Sequence, residues 1–579
     1  MGRRKGHGCA VTVLVLMLLL MAAGGAGGYI YMRKYMPSDE LSDKAKVFGI
    51  KGSQVALLLD NELQEEKGIY EDGQVYLPVG WVNEYLNQRF YWDEGEKLLV
   101  YALPESIVYA DEDAQGEKGP LFKVTDDGMY LSLGLVVNYT DIRTRSFATS
   151  QIKRVFIDTL WEPYDTAEVK KAGHVREKGG VKSPILTELE QGEQVDVLET
   201  MEKWSRVRTE DGYIGYIENR RLDGREQVTP ESSFEAPVYT SISMDEKVRL
   251  GFHQVTRQEA NNTLESYVSV TKDMNVIVPT WFNVISDDGT YNSLASKEYV
   301  DKAHEMGLQV WAMVENVSTQ ESVKNLNTKT LMSSTSTRRK LIENLMKEAD
   351  TYGFDGFNLD FESLKAEAGP HYVQFIRELS VSCRQKGLVL SVDNYVPSPY
   401  SAFYNRREQG IVADYVIIMG YDEHYSGSYE SGSVASLNFV KEGIEATLNA
   451  VPKEKVINAV PFFTRLWKEV PKTEEELAEE AGTEAAEYSV KVTSEALGME
   501  AAEQAIADAG AQTTVDEATK QNYAQWEADG ATYKIWLEDE TALEEKLKLM
   551  KEYKLAGTAA WRLGFEKSSV WELILKYVN

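Results

Sequence analysis

Chemistry in this sequence concentrates in Asp355-Gly356-Phe357-Asn358-Leu359-Asp360-Phe361-Glu362. Polar Asn358, Asp360 and Glu362 alternate with apolar Phe357, Leu359 and Phe361. On a strand, that period of two puts the three polar side chains on one face and the apolar ones on the other. Two carboxylates this close cannot both ionise cheaply, so one of them carries a proton near neutral pH. A protonated carboxyl beside an ionised one suits a general acid and its electrostatic partner. A solvated edge strand would also show D-x-E, but the bulky apolar residues on the second face argue for a buried strand.

The elements that position this stretch follow from the pattern after Val248. Buried-looking strands alternate with amphipathic helices there, the signature of β/α units. Eight strands are expected, at 248–255, 276–283, 309–314, 356–362, 388–392, 415–421, 456–463 and 557–563. A helix over 337–352 carries Leu341, Leu345 and Ala349 on one stripe and stops at Gly353. Another over 372–386 carries Ile376, Leu379 and Cys383 and stops at Gly387, which makes Cys383 a small core residue. Eight such units close into a (β/α)8 TIM barrel over 245–579, with the acidic motif at the C-terminal end of strand four, where such barrels place their chemistry. Residues 472–533, acidic and Ala-rich at first, interrupt the pattern after strand seven and are expected to form a wall or lid over the cleft.

The motif resembles the D-G-x-D-x-D-x-E signature of glycoside hydrolase family 18, with Asn358 where many chitinases have Asp. Three further stretches are similar to that family in the same order. They are Met419-Gly420-Tyr421-Asp422 on strand six, Pro461-Phe462-Phe463-Thr464-Arg465-Leu466-Trp467 on strand seven and Trp561 on strand eight. The resemblance implies a retaining, substrate-assisted glycosidase acting on β-1,4-linked N-acetylglucosamine in peptidoglycan, a cortex-like glycan or chitin. It makes Glu362 the general acid, Asp360 the partner of the acetamido N–H and Tyr421 the donor to the acetamido oxygen. Trp561 lies under the sugar and Met419 lines its site. Asp422 and Arg465 bond sugar hydroxyls or, equally, pair with each other at the barrel mouth. Asn358 is expected to hydrogen-bond Asp360 and keep it ionised, as in the branch with spore-cortex and cell-wall N-acetylglucosaminidases. Asp355 and Gly356 are structural. No cofactor and no metal are implied. The rival reading is a non-catalytic, lectin-like glycan-binding surface protein; such members commonly lack the acidic Glu, which is present here.

The rest of the chain suggests where this barrel works. The chain has 579 residues, enough for several domains, and a net charge of −30, which argues against nucleic acid as a partner. It has two cysteines, Cys9 and Cys383, so no disulfide framework is implied. Arg3, Arg4 and Lys5 precede an uncharged run from Gly8 to Met32, long enough to cross a bilayer. The basic flank places the remainder outside the cytoplasm. We read residues 1–35 as a retained single-pass anchor rather than a cleaved signal peptide, because the apolar run continues through Tyr29, Ile30 and Tyr31. Residues 45–160 read as a small α+β spacer in which Asp72-Gly73, Tyr76-Leu77 and Gly80 are echoed by Asp127-Gly128, Tyr130-Leu131 and Gly134. This resembles the N-terminal domain of copper amine oxidases, without copper ligands. Residues 166–222 contain Trp204-Ser205-Arg206-Val207 and Gly212-Tyr213-Ile214-Gly215-Tyr216-Ile217, which resemble a bacterial SH3-like barrel. Such barrels often bind peptidoglycan peptides. Trp204 and Tyr216 either line a groove or belong to its core.

Overall fold

The computed structural model describes residues 7–316 and 326–579. They form two compact units, residues up to 92 with 110–236, and residues 93–109 with 237–579.

In the first unit, the helix His7–Tyr35 includes a 24-residue apolar stretch, Thr12–Tyr35, long enough to cross a bilayer. Arg3, Arg4 and Lys5 lie outside the described residues. The echo in the spacer is structural: strand Gln74–Pro78 with helix Val79–Tyr85 is repeated by Gly128–Ser132 with Leu133–Tyr139. The two strands pair antiparallel, Leu77 opposite Leu131, so the repeats bury one apolar face together. The SH3-like barrel follows, with a core of Val169, Val175, Leu189, Val195, Val207 and Ile217. Trp204 and Tyr216 stay half-exposed, flanking Gly179, and so lie outside that core.

In the second unit, eight parallel strands close on themselves. They are β1 (Val248–His253), β2 (Val276–Pro279), β3 (Gln309–Glu315), β4 (Gly356–Asp360), β5 (Val389–Tyr395), β6 (Tyr415–Met419), β7 (Val456–Pro461) and β8 (Gly557–Trp561). Closure runs through the β1–β8 and β2–β3 ladders. Strand alternation splits the core in two. Ile277, Val310, Phe357, Leu359, Leu390 and Val416 face the surrounding helices, whereas Leu250, Val278, Trp311, Met313, Ile417 and Ala559 fill the barrel. Helix α1 (Thr335–Tyr352) is capped by Ser334 and ends at left-handed Gly353, and α2 (Gly369–Lys386) ends at left-handed Gly387. Cys383 is buried in the outer core, as its place on the apolar stripe of α2 requires.

The insertion after β7 is longer than 472–533. It is a five-stranded sheet that takes in Phe463–Pro471 at its start and Ala531–Trp536 at its end, with helix Met499–Asp508 packed on it. Residues 93–109 also belong with the barrel. Asp93 accepts hydrogen bonds from the Thr335 N–H and hydroxyl at the start of α1, both at 2.6 Å. Arg384 on α2 donates to the Pro104 carbonyl at 2.7 Å.

Candidate active site

The site begins at Gly356. A Cβ there would stand 2.6 Å from the Val389 carbonyl and 3.1 Å from Trp311, so only glycine lets β4 lie this close to β5. Asp355, just before it, takes the Val310 N–H and the His304 ring on one carboxylate oxygen, each at 2.8 Å. It ties β4 to its neighbours at the end of the barrel opposite Asp360.

Parallel register then assembles the upper layer. Glu315 lies beside Asp360 across β3–β4, and Asn358 beside Ser391 across β4–β5. Asp393 and Tyr395 follow Ser391 on the same face of β5, and Tyr395 pairs with Met419 on β6. Trp561 ends β8, half-buried against Phe252 at 5.5 Å between ring centroids. Tyr421 stands just past β6, edge-on to Phe463 at 6.1 Å. The C-terminal mouth is thus lined by Glu315, Asp360, Asp393, Tyr395, Met419, Tyr421 and Trp561, above an apolar interior.

Strand β4 ends at Asp360, and Glu362 sits in the turn beyond it. Asn316 holds the Glu362 backbone from both sides, accepting its N–H at 2.7 Å and donating to its carbonyl at 2.9 Å. The Tyr404 hydroxyl donates to the Phe361 carbonyl at 2.9 Å. Tyr395 donates to Glu362 Oε2 at 2.8 Å and accepts the Ser363 N–H. Ser363 is left-handed, with φ of 54°, which lets the chain double back under these anchors.

Asn358 does not donate to Asp360 as expected. Its amide nitrogen donates to Ser391 Oγ at 3.0 Å and to Asp393 Oδ1 at 2.9 Å, using both of its hydrogens. Asp360 Oδ1 is left buried with no hydrogen-bond partner. Asp360 is accordingly not held ionised. Burial pushes its carboxyl well above the ordinary range, helped by the charges of Glu362, Asp393 and Glu315. Burial raises Asp393 to about 8, against the pull of the Asn358 bond. Burial also raises Glu315 to about 7, with Asn283 opposing and Glu362 adding to it. Glu362 is raised by burial first, the Tyr395 bond opposing and Asp422 reinforcing. Burial thus shifts all four carboxyls toward their protonated forms, which suits one of them to donate a proton.

Asp422 stands exposed at the mouth in a left-handed conformation, φ 60°. It forms no ion pair with Arg465, whose Nη1 donates to Ser494 at 3.2 Å, although the Arg465 charge favours the Asp422 carboxylate. Sequence reasoning missed Glu315, Asn316, Ser391, Asp393 and Tyr395. A signal was present in the alternation Ser391-x-Asp393-x-Tyr395, but ending strand five at Val392 hid it.

The closed parallel barrel gathers carboxyls, tyrosines and a tryptophan at its C-terminal mouth, the face where such barrels place their chemistry. The sequence profile of the glycosyl hydrolases family 18 matches residues 238–566, and the chain belongs to that family. A bacterial SH3 domain profile matches residues 171–223. The chain is 26% identical over 258 residues to the cortical fragment-lytic enzyme of Bacillus subtilis (strain 168), covering 43% of this chain and 56% of that one. It is 24% identical over 323 residues to the uncharacterized glycosylase YvbX of the same organism, covering 54% and 88%. With the cortical enzyme, the chain thus spans little more than half of its relative's length. Among solved structures, the C-terminal domain of an assigned chitinase from Desulfitobacterium hafniense DCB-2 superposes with a TM-score of 0.51 at 19% identity, over 58% of this chain and 100% of that one. That likeness shows the fold.

Proposed function

We propose that this protein is a membrane-anchored, extracytoplasmic hydrolase that cleaves β-1,4 linkages of N-acetylglucosamine in peptidoglycan or a cortex-like glycan by the substrate-assisted route. The observation that carries the reading is the pair formed by Glu362 and Asp360. Glu362 bears a raised pKa and is oriented by Tyr395. Asp360 Oδ1, two residues earlier, is buried with no protein partner. An acetamido N–H of the substrate is a donor for the Asp360 carboxyl, which has none from the protein. Glu362 then protonates the glycosidic oxygen while the substrate's own acetamido oxygen attacks C1. Asp360 supports the oxazolinium that forms, Tyr421 aligns the acetamido group and Trp561 stacks on the sugar. Glu362 finally takes a proton from the incoming water.

Peptidoglycan is favoured over chitin by the bacterial SH3 domain and by the likeness to a cortical fragment-lytic enzyme. The apolar helix Thr12–Tyr35 supports anchoring. Purified peptidoglycan and chitin oligomers should be digested in parallel and the new reducing ends identified by mass. Reducing-end N-acetylglucosamine from peptidoglycan is expected. Binding without cleavage of either glycan would favour the lectin-like reading instead.

A further inference from the structure

We propose that Asp393 is a positioning residue for Asp360, acting through the amide of Asn358. This rests on the reading above that Asp360 supports the reaction.

Asn358 is fully buried on the inner face of β4, and Asp393 is 3% exposed on the inner face of β5. The 2.9 Å contact from Asn358 Nδ2 to Asp393 Oδ1 shows which end of the Asn358 amide points to β5. The nitrogen does, and Ser391 takes its second hydrogen at 3.0 Å. The amide oxygen is left without a donor. Asn358 Oδ1 is buried and unpartnered, and so is Asp360 Oδ1, two residues along the same face. Two orphaned buried acceptors are costly separately. One proton satisfies both: carried on Asp360, it is donated to Asn358 Oδ1. The arrangement is a relay of orientation from Asp393 to Asn358 N–H, and from Asn358 C=O to the Asp360 O–H. Of the two aspartates, Asp393 has a donor in the protein and Asp360 has none, so negative charge settles first on Asp393. The acidic group that the family signature places at 358 is here supplied from the adjacent strand.

The titratable groups around Asp393 come from each neighbouring strand. They are Glu315 on β3, Asp360 and Glu362 at the end of β4, Tyr395 on β5 itself, and Tyr421 and Asp422 after β6. Tyr372 and Tyr404 lie outside β5, and the cation at the mouth, Arg465, acts on Asp422. The carboxylates among them oppose extra negative charge at the site, so moving one carboxylate by one strand must show in the pH profile.

The test compares detergent-solubilised full-length wild type with Asp393→Asn, Asn358→Asp and the double exchange Asn358→Asp/Asp393→Asn, on an N-acetylglucosamine oligomer and on peptidoglycan. A hydrogen bond to a charged group is worth enough that each single variant should lose about tenfold or more in kcat with little change in KM. Each should also shift the acid limb of the profile. The double exchange keeps a carboxylate bonded to an amide and should recover most of the loss, a coupling that two independent structural defects would not show. Wild-type kcat, KM and pH profile in Asp393→Asn would overturn the proposal, as would a double variant whose loss is the product of the two single losses. Infrared difference spectra (wild type against Asp360→Asn) read the same relay without turnover. A carboxylic acid band of Asp360 is expected at neutral pH, and it should shift in the Asp393→Asn background; an unmoved band overturns the relay. If wild type cleaves no N-acetylated glycan, the proposed function fails while the infrared result still decides this one.

Discussion

Tyr395, the last residue of β5, donates its hydroxyl to Glu362 Oε2 at 2.8 Å. The bond stabilises the ionised form of Glu362 and so opposes the rise that burial imposes. Replacing Tyr395 by Phe removes that opposition, and with it the acceptor of the Ser363 N–H. The folded pKa of Glu362 should rise further, so the basic limb of kcat/KM, where the acid loses its proton, should move to higher pH by roughly one unit. A pH–rate series on a soluble oligomer measures it. A limb that stays in place or moves down would detach Tyr395 from the acid.

Glu362→Gln keeps the shape of the side chain and its contact with Tyr395, but it cannot give a proton to the leaving oxygen. Turnover should fall on the order of 10²–10⁴. Calorimetric binding of the same oligomer should survive, because neither Trp561 nor Asp360 changes. Wild-type turnover in this variant would remove Glu362 from the chemistry.

Arg338 on α1 and Glu378 on α2 are both fully buried and bonded at 2.9 Å. Arg338 Nε donates to the same carboxylate oxygen at 3.1 Å, and Gln374 at 2.9 Å. Arg338→Leu leaves that carboxylate uncompensated and should cost about 3–5 kcal/mol. Arg338→Leu/Glu378→Leu should cost clearly less, since no charge stays stranded. Chemical denaturation of the two variants side by side decides it; equal losses would mean that packing, and not charge, governs this position.

Asp93 takes both the Thr335 N–H and hydroxyl at the start of α1, a capping role played from about 240 residues away in sequence. Asp93→Ala should destabilise the barrel by about 1–2 kcal/mol. A barrel fragment starting at residue 238 lacks residues 93–109 altogether, and its melting temperature should lie below that of the whole chain by more than the single variant's shift. If fragment and whole chain melt alike, the 93–109 segment contributes nothing to the barrel.

Local pattern carried much of this protein. The eight strands, the helices ending at Gly353 and Gly387 and the cluster Asn358–Asp360–Glu362 were legible because each depends on spacing within one short segment, which periodicity records directly. The strand–helix echo of the spacer was legible for the same reason. What lay beyond the sequence was decided by register between strands and by contacts distant in the chain. Ser391 and Asp393 meet Asn358, and Glu315 meets Asp360, only because closure of a parallel barrel aligns those strands at particular offsets. The amide of Asn358 could have turned to Asp360; the carboxylate on the next strand drew it to β5 instead. The allegiance of residues 93–109 to the barrel likewise depends on Asp93 and Arg384 finding partners far away in the chain. Spacing within a segment is set by local backbone geometry, whereas the pairing of charged groups between segments is set by which of them burial forces together.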